Sequence, residues 1–102
     1  MKEVISIVKD EEGNEQALFI CPGCGGGHAP YIKGTGVPVW GFNNDLVKPT
    51  FTPSILVKGH LGEVKGIDKY GICHSFVTDG KIKFLTDCTH ELAGKTVDIK
   101  PI

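Results

Sequence analysis

Residues 72–85 read Ile72-Cys73-His74-Ser75-Phe76-Val77-Thr78-Asp79-Gly80-Lys81-Ile82-Lys83-Phe84-Leu85. Two short runs of β-branched and aromatic residues flank Asp79-Gly80, a dipeptide that favours the type I′ turn of a two-residue hairpin. The segment predicts a β-hairpin. Outward from it the same pattern repeats. Val4 to Val8 and Gln16 to Cys21 read as strands around the polar turn Asp10-Glu11-Glu12-Gly13-Asn14. Ala29 to Lys33, Val39 to Phe42, Ser54 to Lys58 and Thr96 to Ile99 follow as further strands. Pro49 and Pro53 forbid a helix in the approach to Ser54 and hold it extended. His60 to Tyr70 is the most polar stretch and reads as a mobile loop. Thr89 to Gly94 reads as at most one helical turn, with Thr89 as N-cap. The fold class is therefore all-β, mainly antiparallel, with six to eight short strands in one domain over residues 1–102.

Composition limits what such a domain does. The chain has 102 residues, 40% hydrophobic and 23% charged, which is ordinary globular usage. A chain of this size buries roughly 65% of its unfolded surface, a thin core that a bound metal would help. All 11 basic residues are lysine, and the net charge is −1. Bidentate arginine and a basic patch are both missing, so nucleic acid is not the expected partner. No apolar run approaches the ~20 residues of a membrane span, and the N-terminus lacks a signal-like stretch. The expected compartment is the cytoplasm, where four cysteines are metal ligands rather than disulfides.

Cys21-Pro22-Gly23-Cys24-Gly25 is the strongest motif. Two thiolates two residues apart on a glycine turn form a zinc knuckle. Zinc takes four ligands, and Cys73 and Cys88 flank the hairpin, so the expected metal set is Cys21, Cys24, Cys73 and Cys88. His90 in place of a cysteine, or His28 beside the knuckle, are the alternatives. Successive strand residues face opposite ways. If Cys73 faces the ion, His74 faces away from it and is free for other work. Ser54, at the start of a strand, is a candidate nucleophile for His74 to activate, and Asp87 is the carboxylate that would orient the imidazole.

Sharper motifs fail. His90-Glu91-Leu92-Ala93-Gly94 begins like H-E-x-x-H, but Gly94 stands in place of the second histidine. The zinc-deaminase order and the phosphate-loop pattern are both absent. Trp40, Phe42 and Phe51 read as core aromatics rather than an exposed groove.

In combination these blocks resemble a known family. Phe19-Ile20-Cys21-Pro22-Gly23-Cys24, His28, Trp40, Pro49-Thr50-Phe51-Thr52-Pro53-Ser54, Cys73 to Gly80 and Asp87 to Val97 look like a family of small bacterial and phage proteins. Some of its relatives sit in bacterial operons that resemble ubiquitin conjugation systems, and look like the peptidase that trims or removes a ubiquitin-like protein. The resemblance implies a hydrolase on a zinc-stabilised β fold, with a ubiquitin-like protein as substrate. Ser54, His74, Asp87, His90 and the four cysteines fall in its typical blocks. The insert from Gly59 to Gly71 is long for the family. Three readings follow: a serine-type peptidase with structural zinc, a hydrolase with an open zinc site, and a non-catalytic zinc-stabilised binding module.

Overall fold

The computed structural model describes residues 2–102. Ten strands and no helix occur among the described residues. They are β1 (Ser6–Lys9), β2 (Glu15–Ile20), β3 (Gly27–His28), β4 (Tyr31–Lys33), β5 (Gly41–Phe42), β6 (Phe51–Thr52), β7 (Ile55–Val64), β8 (Ile67–Thr78), β9 (Lys81–Phe84) and β10 (Thr96–Asp98). The number exceeds the expected range because β3 and β6 are two-residue pairings, too short to show a period.

Three antiparallel sheets result. In the first, β2 pairs β1 on one side and β4 and then β3 on the other. The second runs β10-β9-β8-β7, so β7 is an edge strand. The third is the small β5-β6 ribbon. The β8–β9 hairpin turns at Asp79 and Gly80, with φ of 50° and 78°. Both angles are positive, as a type I′ turn requires. Along β8 the residues Cys73, Ser75 and Val77 are buried, and along β9 Ile82 and Phe84. Phe19, Phe51 and Phe84 are fully buried, and Phe51 stacks on Phe19 at 6.1 Å and on Phe42 at 5.0 Å. Each such ring contributes about 1.5–3 kcal/mol by leaving water. This core fixes the angle at which the sheets meet, and with it the position of Ser54 beside β8.

Two expectations need correction. The stretch His60 to Tyr70 is not a loop. It is the outer half of a long hairpin, in which β7 and β8 continue past Lys58 and Ile72 to a second tight turn at Lys65 and Gly66, with φ of 52° and 78°. Its polarity reflects a ribbon wet on both faces. Leu61 returns to the core, at a register shift between His60 and Gly62. Thr89 to Gly94 forms turns, within the expected limit of one helical turn, and it is the role of Thr89 that differs. Thr89 does not cap it, because its hydroxyl accepts the Ile72 N–H at 3.0 Å and so belongs to β8. No helix of the described residues is long and apolar enough to cross a membrane.

Candidate active site and metal centre

Ser54 sits between β6 and β7, half-buried, and its carbonyl accepts the Trp40 indole N–H at 3.2 Å. Trp40 packs against the core and also pins this junction. On β8, Cys73 and Ser75 point inward and His74 outward, with 25% of its side chain exposed. Asp87 lies in the turn after β9, its side chain 52% exposed. The structure brings the three together. Ser54 Oγ is 3.0 Å from His74 Nε2, and His74 Nδ1 is 3.1 Å from Asp87 Oδ2. One neutral tautomer satisfies both contacts: Nδ1–H donates to the carboxylate and Nε2 accepts from the serine O–H. A line of this kind can pass the serine proton to the imidazole and hold the resulting cation against a carboxylate.

The backbone of His74 is clamped from the β9 side. Its carbonyl accepts the Leu85 N–H at 2.9 Å and the Cys88 S–H at 3.2 Å. Its N–H donates to Cys88 Sγ at 3.2 Å. Cys88 therefore ties the histidine strand to the turn that carries Asp87.

On the inner face of the same strand, Cys21, Cys24, His28 and Cys73 are all buried and form a group that could hold a metal ion. The knuckle is closed by the Cys21 N–H to Gly26 carbonyl and Gly25 N–H to Cys21 carbonyl bonds, each 2.9 Å. Cys21 Sγ and Cys73 Sγ lie 3.9 Å apart. That is too long for a disulfide, whose sulfurs lie at ~2 Å. It matches the ~3.8 Å between two sulfurs that each sit ~2.3 Å from a tetrahedral zinc. The buried Nε2 of His28 has no hydrogen-bond partner, as expected of an imidazole waiting for a metal. Hydrogen bonds from Cys24 and Cys73, with His28 nearby, pull the Cys21 thiol far below its usual range. Donating to that thiolate pushes Cys24 up to about 12 and Cys73 higher still. A metal would collect these sulfurs as thiolates. The residues present thus fit a thiophilic divalent ion.

Cys88 lies outside this group of four, where His28 stands instead. It forms a second, three-membered group with Cys73 and His90. His90 packs edge-on to Phe84 at 4.5 Å, and its Nδ1 accepts the Leu92 N–H at 3.2 Å. Accepting there places the ring proton on Nε2, which is buried without a partner. Burial holds the His90 pKa below its usual value. The ring lies against Gly23 of the knuckle, where an added Cβ would clash with its Cε1, Nε2 and Nδ1. Reasoning from the sequence missed this contact, and also the close approach of Gly26 to Gly62 that seats the long hairpin on the knuckle. The glycines of the knuckle loop were the available signal, since a glycine within a motif marks a close approach as often as a turn.

The fold and the site together define a class: a small all-β domain with a buried Cys/His cluster and, on the opposite face of one strand, a serine, a histidine and a carboxylate in hydrogen-bonded line. The chain belongs to the BubE family, described as bacterial ubiquitination-like system serine protease, whose family model matches residues 1–85. The matched residues include Ser54 and His74 and end before Asp87. No curated protein and no solved structure matches the chain.

Proposed function

We propose that this protein is a serine peptidase with a structural zinc, acting on the C-terminal tail of a ubiquitin-like protein or on its conjugate. The observation that carries the reading is the line Ser54 Oγ, His74 Nε2, His74 Nδ1 and Asp87 Oδ2, at 3.0 and 3.1 Å. Membership of the family supports the substrate class. Ser54 Oγ attacks the scissile carbonyl while His74 Nε2 takes its proton. Asp87 holds the imidazole in the required tautomer and faces the imidazolium. His74 then returns the proton to the leaving amine, and water hydrolyses the acyl-enzyme by the same steps in reverse roles.

The metal holds the scaffold. Cys21, Cys24 and Cys73 would bind it, with His28 as fourth ligand; Cys88, its Sγ spent on the His74 backbone, takes that place only if the turn after β9 shifts. A bound zinc would supply folding free energy by tying the knuckle to β8, one residue before His74. The burial of the whole group opposes an open zinc site, which needs a water-accessible position. Four free thiols suit a reducing compartment, and the reading places the protein in the cytoplasm.

The test is labelling with a non-peptidic fluorophosphonate, in which the Ser54 oxygen–phosphorus bond forms and fluoride leaves. Wild type is expected to carry the label on Ser54. Ser54→Ala is expected to lose both labelling and cleavage of a ubiquitin-like tail fusion while keeping its metal content and melting temperature. Absence of label on the wild type, with no cleavage, would leave the binding-module reading in its place.

A further inference from the structure

The edge strand β7 begins one residue after Ser54, and its outer side has no partner strand among the described residues. The hydrogen bonds of β8 show which of its groups face outward. The His74 N–H and C=O are both engaged on the β9 side, by Cys88 and Leu85. The Ile72 N–H and C=O are likewise taken on that side, by Thr89. His74 pairs with Leu56, and Ile72 with Lys58. In an antiparallel ladder, a residue whose groups point away from its neighbour forms a non-hydrogen-bonded pair, so its partner's groups point away too. The N–H and C=O of Leu56 and of Lys58 therefore face the open edge. Beside that edge runs a groove of ≈ 380 Å³, walled by Pro30, Pro38 and Trp40 opposite Ile55, Leu56 and Val57. Trp40, in the wall of this groove, donates its indole N–H to the Ser54 carbonyl, and Ile55, in the opposite wall, is the next residue after Ser54.

We infer that the substrate tail adds to the free edge of β7 as an antiparallel strand, with Leu56 exchanging both main-chain hydrogen bonds with one tail residue. The inference rests on the peptidase reading of Ser54 and adds its binding mode and polarity. β7 runs from Ser54 toward Lys58, so an antiparallel tail enters at Lys58 and finishes at Ser54. The paired residues then lie on the acyl side of the scissile bond, as the end of a C-terminal tail must. The path from Lys58 to Ser54 is four residue steps, about 13 Å of extended chain. Pairing through the main chain selects an extended, unstructured segment, and the prolines and Trp40 along the wall favour small side chains. The residue opposite Leu56 is the third from the scissile carbonyl, counted from Ser54 by strand register.

The experiment compares two peptidyl probes on the intact, metal-loaded protein. Both are N-acetyl-Ala-Ala-Gly-Gly diphenyl phosphonates, which form the Ser54 oxygen–phosphorus bond and release phenol. One carries an N-methyl group on the alanine third from phosphorus, which removes the N–H that would reach the Leu56 carbonyl. The N-methyl probe is expected to react at least about tenfold more slowly, the scale of one lost hydrogen bond. Leu56→Pro deletes the outward N–H without touching the ladder, a substitution that edge strands tolerate. It is expected to slow the unmethylated probe by a similar factor, whereas Leu56→Ala keeps the preference between probes. Equal rates for the two probes on a wild type that fluorophosphonate labels would overturn the inference and leave the peptidase reading standing. A wild type that fluorophosphonate does not label would overturn both. If Leu56→Pro fails to fold, the two probes on wild type decide the matter alone.

Discussion

Replacing Asp87 by Asn removes a charge and little else, which makes its effect calculable. The His74–Asp87 contact is 3.1 Å between nitrogen and oxygen. Charge centres about 4 Å apart attract by about 1 kcal/mol in water and about 4 kcal/mol at an effective dielectric of 20. Asp87 is 52% exposed and His74 25%, so the pair lies between these limits. An attraction of about 2 kcal/mol for the imidazolium of the transition state corresponds to about thirtyfold in rate. This is far below the roughly 10⁴-fold lost when a deeply buried triad carboxylate becomes an amide. A half-exposed carboxamide can also turn its oxygen to Nδ1–H and keep the tautomer. The assay is the second-order rate of fluorophosphonate labelling, repeated on a cleavable ubiquitin-like tail fusion. Salt gives an internal check: at 1 M ionic strength the Debye length falls to about 3 Å, and the gap between Asp87→Asn and wild type is expected to narrow. A rate unchanged in Asp87→Asn would refute the role of the carboxylate. A loss near 10⁴-fold that ignores salt would refute the placement of the pair in a solvent-screened setting.

Three further outcomes follow from the same structure. Gly23→Ala drives a methyl into the His90 ring, which also packs against Phe84, and overpacking of this kind costs roughly 1–3 kcal/mol. Thermal unfolding is expected to shift down by roughly 4–8 °C for each kcal/mol, and an unchanged melting temperature would contradict the contact. Chelation of the purified protein is expected to lower its melting temperature and slow fluorophosphonate labelling together, with zinc restoring both; Cys21→Ser and His28→Ala are expected to reduce metal stoichiometry, measured by elemental analysis. In acid, Asp10 and Asp45 matter. Backbone N–H groups, of Asn14 above all for Asp10 and of Lys48 and Val47 for Asp45, hold their carboxyls below the ordinary value of 3.8. A depressed folded pKa contributes stability above the unfolded value and loses it as pH falls through the folded one. Denaturant midpoints of Asp10→Asn/Asp45→Asn are therefore expected to depend less on pH below about 4 than those of wild type.

Local chemistry made much of the fold legible. Asp79-Gly80 announces its own turn, because few other dipeptides accept two positive φ angles. The alternation Cys73, Ser75, Val77 announces which face of β8 is inside. The same alternation separates His74 from the metal side. In His60 to Tyr70 polarity marks a ribbon rather than a mobile loop, and a ribbon exposed on both faces has no apolar period to detect. The hydroxyl of Thr89 was equally illegible: whether it caps a turn or serves β8 depends on a strand 17 residues away.

What the amino-acid order determined unaided was the kind of each part: strands from period-two patterns, turns from Asp-Gly and glycine, a metal-binding pair from Cys-x-x-C, and a short roster of serine, histidine and carboxylate. These are properties of neighbours within a few residues. Tertiary structure alone decided the company each part keeps. It set His28 with Cys21, Cys24 and Cys73, laid His90 on Gly23, and left the outer edge of β7 open beside Ser54. Such choices depend on where sheets cross, and the crossing is set by how the rings of Phe19, Phe51 and Phe84 fill one shared volume, a condition no single stretch of chain contains.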